Sequence, residues 1–282
     1  MKNLIHPFHI VEISPWPLLI SLSILTRTSS LTILIHFKNF FPLTINIIMI
    51  IILAHIWWKD IYRESSSQGK HSKKVIKGLK IGIILFILSE TLFFIAFFWA
   101  YFHSTLNPNI ELGAVWPPAF IEPLSPIKVP LLNTLILLYS GASVTWGHHS
   151  IIINKIKNAK ISLIVTIILG LWFTIVQAIE YVETSFSIRD SIYGASFFIL
   201  TGFHGLHVIL GTTFLIINFI HLNKKLISKD HHIGFELAAW YWHFVDVVWL
   251  FLYFSVYWWG SFNYFISILS TINFQLIRFL IK

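Results

Sequence analysis

The chain has 282 residues, 56% of them hydrophobic and only 11% charged, with 20 Lys and Arg against 12 Asp and Glu. A soluble domain carries roughly 25% charged residues, so these charges cannot supply a solvated surface and lipid must cover most of the chain. The absence of cysteine excludes disulfides, thiolate metal sites, iron–sulfur clusters and thiol catalysis. The formal charge of +8 lies in short loops, where it reports membrane topology and gives no support to nucleic-acid binding.

The N-terminus, MKNLIHPFHIVEISPWP, has one Lys and neither a secretory signal pattern nor an Arg-rich amphipathic helix, so import after cytosolic synthesis is not expected. Apolar runs long enough to cross about 30 Å of hydrocarbon follow at 16–36, 42–58, 79–104, 129–152, 161–182, 192–221 and 234–260. The first holds Arg27, a residue costly at mid-bilayer that should face protein or snorkel. After the second comes HIWWKDIYRESSSQGKHSKKVIKGLK, where aromatic rings and cations suit the headgroup layer and could anchor the chain or hold lipid phosphate. Joints two–three, four–five and six–seven carry most of the Lys and Arg, which puts the N-terminus on the basic side and the C-terminus opposite. Residues 1–261 are thus expected to form one seven-helix domain, and the apolar tail 262–282, long enough for an eighth span but dotted with polar residues, an interfacial helix in preference to that span.

Several polar side chains fall inside these runs. Glu90, in FILSETLFFIAFFWAYFH, is near mid-bilayer and should be protonated, paired or near water, either as a packing group or as a proton-exchanging one. His103, His148, His149, His204, His207, His243 and Asp246 are candidates for interhelical polar contacts. His204 and His207 are three apart on one helical face, which also allows a haem or copper site completed by His243. Against that, Gly202, Gly205 and Gly211 would let a second helix approach and receive imidazole hydrogen bonds. Glu180 and Glu183 are expected at the interface, at the end of span five. No phosphate loop, nucleophile triad or metalloprotease motif is present.

In order, SPWP at 14–17, WWKDIYRE at 57–64, SETLFF at 89–94, FFWAYFHS at 97–104, ELGAVWPP at 111–118, VPLLNT at 129–134, SVTWGHHS at 143–150, GFHGLHV at 202–208 and the aromatic run 238–261 resemble the cytochrome c oxidase subunit III family. The resemblance implies an all-α polytopic fold of seven transmembrane helices, two grouped apart from five around a V-shaped cleft filled with phospholipid. It implies lipid contact at Trp57, Trp58, Arg63, Glu64, His71, Lys77 and Phe86, with Glu90 as the embedded carboxylate beside the cleft and His6 and His9 at a proton-uptake surface. No cofactor or metal is then expected in this chain. The haems and coppers belong to partner subunits, and the chain packs on catalytic subunit I, with subunit II and small accessory subunits in the same complex. Its implied role is a non-catalytic one, stabilising the catalytic subunit and sustaining proton uptake during oxygen reduction to water. The implied location is the mitochondrial inner membrane, with the N-terminus in the matrix and the C-terminus in the intermembrane space. The competing reading is an independent proton-coupled transporter relaying protons through Glu90 and the membrane histidines, although no internal repeat supports it.

Overall fold

The structure, a computed structural model, describes residues 7–262. His6 and the tail helix expected over 262–282 lie outside these residues, apart from Phe262. Among the described residues, seven helices are long and apolar enough to cross a membrane. They are α1 (Trp16–Phe37), α2 (Phe41–Ser66), α3 (Lys73–Leu106), α4 (Val129–Ile152), α5 (Ile156–Glu183), α6 (Ser191–Asn223) and α7 (Ile233–Leu252), the last continued by a π-helical segment, Tyr253–Trp259. Helix α2 runs past the apolar stretch to Ser66, and α3 begins at Lys73, because a helix need not stop where hydrocarbon does. At 34 residues α3 is about 50 Å long, well beyond the bilayer core.

The chain divides into two compact units, residues 1–82 and 83–282. In the first, Pro residues occupy the opening turns of α1 and α2, where a missing N–H costs nothing. Lys38 ends α1 in the left-handed conformation, its N–H donating to the Leu34 carbonyl. The two helices are joined by polar groups that lipid cannot satisfy. The Asn46 amide donates to Ser30 Oγ at 2.7 Å, and Thr26 Oγ1 donates to Asn46 Oδ1 at 2.7 Å.

In the second unit α4 packs on α5 and α7, and α6 packs on the same two helices, so the four close into a ring. Trp242 is fully buried there. Its Nε1 donates to Ser140 Oγ at 2.9 Å, and its ring lies so near Gly170 and Gly211 that an added Cβ would come within 2.7 and 2.8 Å of it. Those two glycines admit the indole between α5 and α6. Of the three glycines expected to admit a helix, only Gly211 does so; a Cβ on Gly202 or Gly205 would meet nothing within 4 Å. The remainder of α3 lies along α6 and α7 through ring contacts, Phe93 to Phe203 at 5.0 Å and Phe94 to Phe244 at 6.3 Å.

The π-helical segment has a local cause and a use. Gly260 N–H donates to the Ser255 carbonyl five residues back, and the same carbonyl accepts from Tyr101 Oη at 3.1 Å. A Cβ at 260 would lie 2.1 Å from the Tyr101 hydroxyl, so any side chain there would displace Tyr101 from the Ser255 carbonyl. The widened turn also carries Tyr257, which points into the bundle and is buried.

Candidate functional site

Glu90 lies at the middle of α3, where the helix passes α6, and its Oε2 is 2.9 Å from His207 Nε2. The His207 side chain is 7% exposed and that of Glu90 24%. The other imidazole nitrogen, Nδ1, is 2.7 Å from the Phe203 carbonyl. A carbonyl can only accept, so Nδ1 must carry hydrogen. Two arrangements then satisfy the remaining contact. Glu90 holds a proton and donates it to the Nε2 lone pair, or the imidazole holds both protons and donates from Nε2 to a carboxylate. With neither group protonated at this contact, two lone pairs would face each other. A hydrogen bond at this contact therefore requires one proton, on the carboxyl or on Nε2.

Its surroundings are aromatic. The rings of Phe94, Phe244 and Tyr241 lie 5.0, 6.3 and 6.4 Å from the His207 ring. The two phenylalanines offer no alternative hydrogen-bond partner, which raises the penalty for losing the one present. Phe86, four residues before Glu90, stacks on Tyr241 at 6.2 Å.

One turn earlier on α6, His204 is wholly buried between Phe173 and Trp249, with Nε2 donating to the Val245 carbonyl at 3.2 Å. With both nitrogens of His207 committed to Glu90 and Phe203, the two histidines do not converge on a common point. Among the described residues no group of three His, Cys, Asp or Glu is placed to hold a metal. His243 and Asp246 form a pair at 3.8 Å on α7, and His243 Nε2 is 3.2 Å from Thr145 Oγ1 on α4. His148 meets the rings of His232 and Phe235 at 5.5 and 5.8 Å. His149 is exposed, and His103 lines a cavity of about 280 Å³ with Asn107, Asn109 and Trp116.

A buried carboxyl lies where the sequence suggested an interfacial one. Glu180 is 1% exposed, against the expectation of an interfacial position. Tyr257 Oη donates to its Oε1 at 2.6 Å, Gln177 Nε2 is 3.4 Å from the same oxygen, and Asn133 Nδ2 donates to Gln177 Oε1 at 3.2 Å. This network ties α4, α5 and the π segment together. Tyr257, four residues before the chain reaches Ser261, has no signal in sequence that would pair it with Glu180.

In the first unit, Trp57, Arg63 and Glu64 line a cavity of about 260 Å³ together with Glu12, Trp16 and Asp60. His9 is 3.5 Å from Glu64 and its ring is 5.7 Å from that of His71, so three of the expected residues meet. Trp58 and Lys77 are exposed and stand outside this cavity. Glu12 and Asp60 were not anticipated. Glu12 pairs with Lys70, whose hydrogen bond and charge hold the Glu12 carboxyl below its usual value, and Asp60 accepts from Trp16 Nε1 at 2.8 Å.

These features define a polytopic helical membrane protein with a carboxyl–imidazole pair between two of its spans and a cavity lined by charged side chains in its first unit. The family model for cytochrome c oxidase subunit III matches residues 6–261. Curated relatives named cytochrome c oxidase subunit 3 align over 261 residues, 93% of this chain and 100% of their own length. The identity is 55% for Balaenoptera musculus and 54% for Hippopotamus amphibius and Bos taurus. The chain belongs to the cytochrome c oxidase subunit III family.

Proposed function

We infer that the chain is a non-catalytic membrane subunit of cytochrome c oxidase, respiratory complex IV. The observation that carries this is the match across the whole length of relatives bearing that name. Oxygen reduction then takes place at the haems and coppers of partner subunits, and this chain packs beside catalytic subunit I in the mitochondrial inner membrane. The basic joints between its spans support an N-terminus in the matrix.

Within that complex the Glu90–His207 pair holds a proton that passes between oxygen and nitrogen by a short shift, and uptake or release occurs by exchange with a proton donor or acceptor outside the pair that reaches the partly exposed Glu90 side chain. His9, held beside Glu64 and His71, supplies an imidazole to the proton-uptake surface at the basic face. The cavity of the first unit is a site for a zwitterionic phospholipid headgroup, with Arg63 for the phosphate and Glu12, Asp60 and Glu64 for an ammonium group.

Affinity purification through a tag on this chain should bring down haem-bearing partners. A chain that purifies alone and transports solute by itself would instead support the transporter reading. In the purified complex, Glu90→Gln should leave assembly intact and lower proton uptake or the number of turnovers before activity fails. Wild-type behaviour across the pH range would remove the proton role.

A further inference from the structure

The lipid-facing sides of the second unit differ in chemistry. The exposed positions of α5 are almost uniformly apolar, including Ile161, Ile164, Ile168, Leu171, Ile175 and Ile179. The side shared by α4 and α7 is not. His243 has a side chain 46% exposed and lies eleven residues into the span Ile233–Phe262, about 15 Å along it and so deep in the bilayer. Thr145, its hydrogen-bond partner on α4, is exposed as well. Behind them is Asp246, its side chain 9% exposed and its Oδ1 buried with no partner. Gly141 brings α4 so close that a Cβ there would lie 2.5 Å from Asp246 Oδ2. Acyl chains cannot hydrogen-bond an imidazole or a hydroxyl, whereas a neighbouring helix can.

Resting on the reading of the chain as a subunit of a membrane complex, we infer that the α4–α7 face around His243 is where a transmembrane helix of another subunit packs, and that this helix presents a side-chain hydrogen-bonding group to His243 and Thr145. Aliphatic α5 faces lipid. His243 Nε2 is held by Thr145, while its Nδ1 lies 3.8 Å from Asp246, beyond hydrogen-bond distance, so a polar group on the partner helix completes the cluster at this depth.

The absence of cysteine makes the test direct, because an introduced thiol is unique in the chain. In the assembled complex, Leu138→Cys and Val247→Cys border the proposed contact, and Ile168→Cys and Ile175→Cys mark the α5 face. Each is coupled to a benzophenone maleimide, irradiated, and its products mapped by mass spectrometry. The first two should crosslink to a membrane-spanning peptide of another subunit and the last two to lipid. His243→Leu and Thr145→Val should each increase loss of the chain from the complex in detergent by roughly threefold to twentyfold, and His243→Gln should restore retention. Crosslinks from 138 and 247 that reach only lipid, or only this chain's own helices, overturn the proposal. So does wild-type retention of both apolar variants. A tagged chain that purifies with no partner at all contradicts the subunit reading itself, a result separable from crosslinks that map to the wrong face of an intact complex.

Discussion

Breaking the Glu90–His207 contact from one side and then from both gives its coupling energy. Glu90→Leu leaves His207 Nε2 buried without a partner, and His207→Phe leaves the partly exposed Glu90 carboxyl without one. The first change should cost about 1–3 kcal/mol, the penalty of an unpaired buried polar group, and the second should fall toward the lower end of that range. The double variant removes donor and acceptor together and presents a leucine and a phenylalanine to a wall already built of Phe94 and Phe244, so its cost should fall below the sum. Interhelical hydrogen bonds in membrane proteins couple by about 0.6 kcal/mol on average and up to about 1.7, which sets the expected shortfall. The assay is an SDS titration of the purified complex, scored by unfolding of this chain in wild type, both single variants and the double. Additivity to within about 0.3–0.5 kcal/mol, the behaviour of independent sites, would show that the two groups do not hold a proton between them.

Gly194→Ala should be strongly destabilising, by about 1–3 kcal/mol or more, since the new Cβ would lie 2.2 Å from the Ser187 carbonyl oxygen, a backbone atom that cannot swing aside. Gly202→Ala, with nothing within 4 Å, should instead be neutral or raise stability by up to about 1 kcal/mol in the same titration. Tyr257→Phe removes the 2.6 Å donor to Glu180 and should cost about 1–3 kcal/mol; adding Glu180→Leu should recover part of it, and the absence of any recovery would show that the network is not coupled. The Glu12–Lys70 tie predicts a pH dependence. Because the folded value of Glu12 is depressed, the tie is complete above the ordinary carboxylate range and is lost as pH falls through the lowered value. Hydrogen-exchange protection over residues 8–14, taken relative to the intrinsic exchange rate at each pH, should fall at acid pH and in high salt, and Lys70→Met should show the lowered protection at every pH.

Much of this protein was legible along the chain. Spanning a bilayer imposes a local requirement, about 20 apolar residues in succession with the backbone bonded to itself, so seven helices follow from sums over short windows. Glu90 stood out for the same reason: FILSETLFFIAFF leaves a carboxyl no route to water within its own helix. What it pairs with was not legible, since His207 is 117 residues away and the contact depends on the rotation of α3 against α6. Glu180 shows the converse error. Its place near the end of an apolar run suggests the interface, but the π segment of α7 brings Tyr257 over it and removes it from water.

Hydropathy along the sequence determined which segments enter lipid and in what order, because transfer into hydrocarbon adds residue by residue. Only the tertiary structure decided which polar groups within those segments face protein and which face outward. That depends on helix azimuth, set by close approaches such as Gly211 to Trp242 and Gly141 to Asp246. A window of hydropathy carries no information about azimuth when nearly every position around the helix is apolar.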